Sequence, residues 1–243
     1  LQLESPQLAG LFAEEFEQLW GDGPGGKPDS RFGLGKNSRR LQRAQLGSDR
    51  ASVLFAPHRR NNPDHGLALI RQQLEQAQRS IDLALFVFSA QELADVLALK
   101  RDQGVQIRVL VDPGFAHRSY SEWLDLKGLA MADHRCRLEA GNNPWATPLK
   151  TVGTPRLSKG DKLHHKFAVI DGQTVITGSF NWSPAAAHTN DETLLVIDSP
   201  KLAAHFSREM DRLWQSAELG ITPRLQRKLE RSQRLCGQSQ IAD

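Results

Sequence analysis

The chain has 243 residues, of which 39% are hydrophobic and 24% are charged, and its formal net charge is +3 with a pI of about 9.0. This length suits one substantial domain with flanking segments, and the mild basicity favours polyanionic partners only weakly. No run approaches the ~20 apolar residues that a membrane-spanning helix needs. The two cysteines, Cys136 and Cys236, do not indicate a disulfide framework.

Residues 1–20 repeat a later segment of the chain. LQLESPQLAGLFAEEFEQLW matches LVIDSPKLAAHFSREMDRLW at 195–214 with a constant offset of 194 residues. Each copy is predicted to be a strand end followed by an amphipathic helix, with serine as the cap and proline in the first turn. We interpret residues 1–20 as the tail of a preceding repeat. The shared residues are Leu1, Ser5, Pro6, Leu8, Ala9, Phe12, Glu15, Leu19 and Trp20.

The next part of the chain changes from a linker composition to an alternating pattern. Residues 21–50 are rich in glycine, proline, serine and basic side chains, which predicts an exposed linker. From residue 51 onward, apolar runs of strand length alternate with helical patterns, which predicts an α/β fold. Its mixed, mostly parallel sheet would have helices on both faces. Strands are expected at 52–56, 81–88, 105–111 and 135–138, and helices at 63–79, 91–103 and 119–132.

Residues 139–163 form a long insertion rich in proline and glycine, directly before the most informative part of the chain. Long loops beside a site are often lids or contact the substrate. Trp145 could stack on a nucleic-acid base, and a merely solvated loop is an equally good interpretation. The insertion is basic through Lys150, Arg156, Lys159 and Lys162.

The most informative stretch is HHKFAVIDGQTVITGSFN at 164–181. Its pattern, His-x-Lys-x4-Asp-x6-Gly-Ser-x-Asn, combines a nucleophilic imidazole, a cation and small hydrogen-bonding groups, which the cleavage of a phosphodiester requires. Six specified positions make a chance match improbable in a chain of this length. The candidate catalytic residues here are His164, Lys166, Asp171, Ser179 and Asn181, and the candidate substrate-binding residues are Lys166, Gly178, Ser179 and Asn181.

The motif is predicted to lie on two strands joined by a tight Asp-Gly turn. Side chains alternate along a strand, so His164 and Lys166 face the same way. Ser179 and Asn181 are also two residues apart, just past the second strand. Hairpin pairing would bring the two pairs side by side, and Gly178 would let a phosphate approach the backbone.

His165 directly follows His164, and a histidine pair raises the question of a metal site. Adjacent strand residues face opposite ways, and no cysteine or close acidic cluster supplies further ligands. Metal binding is therefore the minor alternative, and we expect neither a metal nor a cofactor. Each motif residue alone has an ordinary structural interpretation, so the functional interpretation depends on their joint spacing.

These residues resemble the signature of the phospholipase D superfamily, whose members cleave phosphodiesters in lipids and nucleic acids. The resemblance covers about residues 51–216 and the tail at 1–20, and it implies a phospholipase D-like repeat as the fold. It implies that an acidic residue beyond the Gly-Ser-x-Asn segment orients the catalytic imidazole. Glu192 matches that place, opening a strand predicted at 193–197, and Asp191 is the neighbouring alternative.

The resemblance leads to a two-step displacement at phosphorus as the mechanism. One neutral imidazole attacks and forms a phosphohistidine, while a second histidine protonates the leaving alkoxide and then activates water or another alcohol. Lys166 and Asn181 would hold the non-bridging oxygens, and Ser179 would help to position the phosphate. Asp171 is expected to support the hairpin and Lys166 rather than to touch the substrate. In this family the chemistry usually needs no metal.

The mechanism needs two histidines, but the motif occurs once in the chain. The resembling family completes such a site with a second repeat or with a symmetric dimer. The tail at 1–20 leads us to expect a second motif upstream of Leu1, with a homodimer as the rival interpretation. A monomer of the chain alone should be nearly inactive. The expected organisation is a tail at 1–20, a linker at 21–50, a catalytic repeat at 51–220 with its insertion at 139–163, and a helix and tail at 221–243.

Three functions stay open at this point. The small repeat and its basic segments favour a nuclease-like phosphodiesterase that acts on nucleic acid. The alternative is a phospholipase D or a cardiolipin-synthase-like phosphatidyl transferase, because a phospholipid offers the same phosphodiester. The third is a non-catalytic binding module. A cytoplasmic location is favoured, although a signal peptide upstream of Leu1 stays open.

Overall fold

A computed structural model describes residues 2–22, 28–37 and 40–237. Parts of the linker predicted at 21–50 and the end of the tail predicted at 221–243 lie outside these residues. The strands are β1 (Gln42–Leu46), β2 (Asp49–Phe55), β3 (Ser80–Leu85), β4 (Gln106–Val111), β5 (Val152–Thr154), β6 (Lys166–Ile170), β7 (Thr174–Gly178), β8 (Thr193–Asp198) and β9 (Glu218–Leu219). The α-helices are α1 (Pro6–Trp20), α2 (Gly66–Glu75), α3 (Gln91–Asp102), α4 (Pro113–Ala116), α5 (Glu122–Leu126), α6 (Pro184–His188), α7 (Pro200–Trp214) and α8 (Pro223–Cys236).

The described strands form one mixed sheet in the order β1-β2-β8-β7-β6-β3-β4-β5-β9. The pairings β3–β4 and β4–β5 are parallel, and the other six are antiparallel. A mixed sheet is as predicted, but the expectation of mostly parallel pairing is wrong. Parallel neighbours need a long crossover, which α3 supplies between β3 and β4, whereas strands joined by a tight hairpin, such as β6 and β7, must be antiparallel.

Helices cover both faces of the sheet, as predicted. On one face α2, α3 and α5 enclose the largest core, towards which Ile81, Leu83 and Leu85 of β3 point. On the other face α7 packs over β3, β6 and β7, where Met210 is fully buried. On that same side α1 contacts β1, β2 and β8 through Leu8. The β6–β7 hairpin is therefore fixed between two helical layers.

The alternating pattern predicted from residue 51 is confirmed in outline, with two differences. The helix predicted at 119–132 shrinks to α5, because Gly128 adopts a positive φ of 66° just beyond it. A turn replaces the strand predicted at 135–138. In that turn the carboxylate of Asp133 accepts hydrogen bonds from the backbone amides of Arg135 and Arg137, at 2.8 and 2.9 Å.

Part of the predicted linker belongs to the folded core. β1 pairs with β2 along its whole length, and the amino group of Lys36 is buried in ion pairs with Glu15 and with Asp191, the latter at 2.8 Å. β1 is an edge strand that exposes most of its side chains, so its polar sequence resembles that of a loop. The linker prediction is therefore wrong for these parts of residues 21–50.

Cys136 and Cys236 form a disulfide between the turn after Asp133 and the end of α8, with their Cα atoms 5.1 Å apart. The two residues are separated by 100 positions, and the sequence offered no signal for this pairing. Although one bridge is not a framework, it does constrain α8. No helix in the described part of the chain is long and apolar enough to cross a membrane.

Candidate active site

The motif lies in the middle of the sheet, where β3 and β7 end and β6 and β8 begin. Lys166 is paired with Leu85 at the end of β3, and Gly178 is paired with Leu194 at the start of β8. The predicted hairpin is confirmed, because β6 and β7 pair in antiparallel register. The segments that carry His164 and Ser179 therefore meet at one edge of the hairpin, as predicted.

His164 is exposed beside an aromatic ring. Its imidazole lies 4.5 Å from the ring of Phe86, which in turn lies 4.5 Å from the ring of Phe115. Neither ring nitrogen of His164 has a hydrogen-bond partner among the described residues, so both are open to a reactant. Sequence reasoning missed Phe86 and Phe115, because only the pairing of β3 with β6 brings them to the motif.

Lys166 is buried, and its cation is fixed at the site. The ammonium group donates a hydrogen bond to the backbone oxygen of His164 at 3.0 Å and lies 4.9 Å from the centre of the Phe86 ring. Burial lowers the pKa of Lys166, and the carboxylate of Glu192 partly offsets this effect. Lys166 is thus held as a donor against the same Phe86 ring that the exposed imidazole contacts.

The acidic candidate Glu192 lies within electrostatic reach of Lys166. Its carboxylate accepts a hydrogen bond from the side chain of Asn190 at 3.3 Å, and within the described chain no hydrogen bond joins it to His164. Its role in orienting the imidazole therefore stays a prediction. Asp191, the alternative, accepts a bond from the amide of Gly33 at 3.0 Å and pairs with buried Lys36, which commits it to structure.

Gly178 and Ser179 join the end of β7 to the start of β8. The hydroxyl of Ser179 accepts a hydrogen bond from the amide of Thr193, and the amide of Ser179 donates to the oxygen of Thr193, both at 3.0 Å. A side chain on Gly178, whose φ is 133°, would overlap that same oxygen. The missing side chain thus makes room for β8, and its expected role in admitting a phosphate stays a prediction.

Asn181 carries an incomplete hydrogen-bond set. Its side-chain oxygen is buried and has no partner among the described residues. A buried polar atom without a partner is costly and often marks a functional site. The neighbouring Ser183 instead caps α6, accepting from the amide of Ala186 at 3.3 Å. Asn181 is therefore the motif residue whose side-chain hydrogen bonding the described chain leaves incomplete.

Asp171 lies at the opposite end of β6 from Lys166, so the structure separates it from the other motif residues. Its carboxylate accepts hydrogen bonds from the backbone amides of Gln78, Arg79 and Ser80 at 2.9, 2.7 and 2.8 Å. It thereby fixes the start of β3 to the hairpin turn. The expected support of the hairpin is seen, but contact with Lys166 is not. We therefore place Asp171 among the structural residues and not among the catalytic candidates.

The Asp171→Asn variant should lower the free energy of unfolding by about 2 kcal/mol, because three amides lose a charged acceptor. Burial would raise the pKa of Asp171, but the hydrogen bonds from Ser80, Gln78 and Arg79 outweigh burial and lower it. The carboxylate's contribution is therefore complete above the usual aspartate pKa of about 3.9 and is lost as the pH falls through the lowered value.

Urea unfolding at several pH values, with the exposed Asp161→Asn as control, tests this prediction. The difference from the unmodified protein should be constant near neutral pH and shrink in acid. An equal effect of both substitutions would contradict the role given to Asp171.

His165 faces away from the site, as strand alternation predicts. Its Nε2 lies 2.9 Å from a carboxylate oxygen of Glu209 on α7. A hydrogen bond from Arg212 chiefly lowers the pKa of Glu209, to about 2, and His165 adds to this effect. His165 thus ties β6 to α7. Among the described residues, no group of three histidine, cysteine or acidic side chains could hold a metal ion.

The insertion at 139–163 is folded against the domain. Trp145 is only 4% exposed, and the guanidinium of Arg101 lies 4.4 Å from its ring centre, so the prediction that Trp145 stacks on a base is wrong. β5, within the insertion, extends the sheet beside β4. Trp145 lies in a stretch without helix or strand periodicity, so the sequence gives no sign of its burial, which depends on α3 and α5, distant in the chain.

Comparison with known proteins identifies the family. The model described as "Cardiolipin synthase, PLD-like domain" matches residues 70–214. Mitochondrial cardiolipin hydrolase of Xenopus tropicalis is 34% identical over 144 residues, which are 58% of this chain and 58% of that protein. The Chlamydomonas reinhardtii protein of that name is 29% identical over 141 residues, 58% of this chain and 54% of the relative. The chain thus spans little more than half the length of these relatives.

Two solved structures share the fold. The phospholipase D family member NUC from Salmonella typhimurium has a TM-score of 0.53 at 21% identity, covering 72% of this chain and 99% of its own. NucT from Helicobacter pylori has a TM-score of 0.55 at 19% identity, covering 71% of this chain and 99% of its own. Likeness at this identity supports the fold alone. Because the family match extends over more than half of the chain, the protein belongs to the phospholipase D superfamily.

Proposed function

We propose that the chain supplies one half of a phosphodiesterase site that works through a phosphohistidine and acts on nucleic acid. The observation that carries this proposal is that the exposed imidazole of His164 and the fixed ammonium group of Lys166 lie against the same Phe86 ring. The imidazole attacks phosphorus, the phosphorus–nitrogen bond forms, and the bond to the leaving oxygen breaks. Lys166 and the amide of Asn181 stabilise the charge that develops on the non-bridging oxygens.

A second histidine must protonate the leaving oxygen and later activate water. The structure favours a second repeat over a homodimer as its source, because α1 exposes an apolar face. Phe16 and Trp20 are 57% and 46% exposed, whereas their counterparts in the internal repeat, Met210 and Trp214 of α7, pack on the sheet. In this chain α7 already covers the sheet surface on which such a helix packs, so an identical partner chain has no free surface of that kind for α1. A second repeat that lacks its own closing helix would provide it.

Nucleic acid is our first candidate substrate, because Arg118, just after α4, and Lys228 on α8 are cations without a carboxylate partner among the described residues. An anionic phospholipid is the second candidate, and it is favoured by the two relatives described above, which are mitochondrial cardiolipin hydrolases. Both substrates present the same phosphodiester to the same imidazole. The choice between them therefore depends on surfaces around the site and not on the motif.

Parallel assays of the enzyme completed with its second half-site, on single-stranded DNA, RNA, phosphatidylcholine and cardiolipin, test the proposal. We expect cleavage of nucleic acid, and we expect the Lys166→Ala variant to lose it with little change in melting temperature. Cleavage of lipid alone would contradict the ranking of the substrates. Full activity of the Lys166→Ala variant on every substrate would contradict the site itself.

A further inference from the structure

A second feature of the surface lies along α8. A cleft of about 1190 Å³ runs between α8 and the residues that follow α4, and the disulfide from Cys136 to Cys236 lies in its wall. We call it the α8 groove. Its lining includes Arg118, Tyr120, Leu138, Lys228, Arg231 and Leu235.

The groove concentrates positive charge that the protein does not neutralise. Burial lowers the pKa of Lys228, and repulsion from Arg118 and Arg224 lowers it further, so these three cations lie close together. In the part of the chain that the structure describes, none of them forms an ion pair with a carboxylate. The ammonium group of Lys228 donates to the backbone oxygen of His117, which fixes it in place.

The acidic residues of the groove do not offset this charge. Asp133 is already bound to Arg137, with a carboxylate oxygen 3.2 Å from a guanidinium nitrogen. Glu139 is the other carboxylate of the lining, and it stands against three cations, Arg118, Lys228 and Arg231. The groove is thus an anion-attracting cleft with an exposed aromatic side chain, Tyr120, in its lining.

The groove is close to the motif. The guanidinium carbon of Arg118 lies 5.9 Å from the centre of the Phe115 ring. The Phe115 and Phe86 rings are 4.5 Å apart, and Phe86 is again 4.5 Å from the ring of His164. The cations therefore begin within about 15 Å of the imidazole, a distance that a few nucleotides of a strand can span.

The main wall of the groove lies outside the segment that matches the family model. α8 begins at Pro223, beyond the residues 70–214 that match the family model. Leu225 and Leu229 bury one side of α8, while Lys228 and Arg231 present charge at intervals of about one turn. Regularly spaced cations in a cleft fit the repeated phosphates of a strand better than the compact headgroup of a single lipid.

We propose that the α8 groove binds single-stranded nucleic acid and leads it to His164. The phosphates contact Arg118, Lys228 and Arg231, and a base stacks on Tyr120. The disulfide holds α8 in position as one wall of the groove. This assignment rests on the proposed function, because it takes the bound strand to be the substrate that His164 cleaves.

A charge reversal in the groove tests the assignment. The variant carries Lys228→Glu and Arg231→Glu, and its matched control carries Arg227→Glu and Arg234→Glu, two exposed residues of the same helix that do not line the groove. The probe is a fluorescein-labelled oligothymidylate of about 16 nucleotides, measured by anisotropy. We expect the groove variant to raise Kd about tenfold and to reduce the salt dependence of binding by about two phosphate contacts, with the control changing Kd less than about threefold.

If both variants weakened oligonucleotide binding equally, the groove assignment would be overturned, because the result would indicate non-specific electrostatic attraction. Weakened binding to phosphatidylglycerol vesicles with unchanged binding to the oligonucleotide would overturn it in favour of a lipid surface. If the double reversal lowers the melting temperature, Arg231→Gln alone is compared with Arg227→Gln by the same measure. Binding can be measured without turnover, so the two proposals can fail separately. If the groove variant and its control bind the oligonucleotide equally well, the groove assignment is wrong. If the oligonucleotide binds in the groove but no phosphodiester is cleaved, the proposed function is wrong.

Discussion

Replacing His164 by alanine is expected to reduce phosphodiester hydrolysis by at least about a thousandfold in the completed enzyme. Without the imidazole no phosphohistidine forms, and neither ring nitrogen can be replaced by a neighbour. Because the ring is exposed and contacts mainly Phe86, the substitution should leave the melting temperature almost unchanged. Release of p-nitrophenol from bis(p-nitrophenyl) phosphate measures the loss.

His165 provides the matched control, because it is the same residue type one position away. It faces α7 and contacts Glu209 at 2.9 Å, so His165→Gln should keep most of the activity and weaken only the attachment of α7. Retained hydrolysis in the His164→Ala variant would remove His164 as the nucleophile. Equal inactivation of both variants would indicate a folding effect instead of a chemical one.

Replacing Gly178 by alanine is expected to lower the free energy of unfolding by about 3–5 kcal/mol. Its φ of 133° is unfavourable for any residue with a side chain, and a Cβ atom would overlap the backbone oxygen of Thr193. β8 would have to move away from β7, and with it the hydrogen bonds between Ser179 and Thr193 would be lost. Urea unfolding measures the change.

Gly172, in the turn between β6 and β7, separates the cost of the positive φ from the cost of the overlap with β8. Its φ is also positive, at 66°, but nothing lies within 4 Å of a Cβ placed there. Gly172→Ala should therefore lower the free energy of unfolding by only about 1 kcal/mol, the cost of the left-handed backbone. If both substitutions had the same effect, close packing against β8 would not be the reason for glycine at 178.

Local spacing explains which parts of the site the sequence could predict. His164 and Lys166 share one strand entrance, and Ser179 lies just past the next strand, so a hairpin alone brings them together. The same local reasoning fails for Asp171, because it expects this residue to support Lys166. Its partners at 78–80 are more than ninety residues away in the chain and meet it only when β3 pairs with β6.

Long-range packing explains what the sequence could not show. Phe86 reaches His164 from the end of β3, and no local pattern distinguishes it from other apolar residues of that strand. Trp145 and the cysteine pair depend on contacts across the whole domain. Hydrophobic runs reveal burial but not pairing partners, so the relative direction of the strands could not be read from the sequence. Elements and motif were therefore predictable, whereas the surroundings of the motif were not.

The central claim is that His164 is the nucleophile of a half-site, and trapping its covalent intermediate tests this most directly. The chain alone is mixed with bis(p-nitrophenyl) phosphate, whose good leaving group needs little help from an acid, quenched, and examined by peptide mass spectrometry. We expect a burst of p-nitrophenol and a phosphoryl adduct on His164, which persists because no second histidine activates water. An adduct on another residue, or a burst that is unchanged in the His164→Ala variant, would contradict this account.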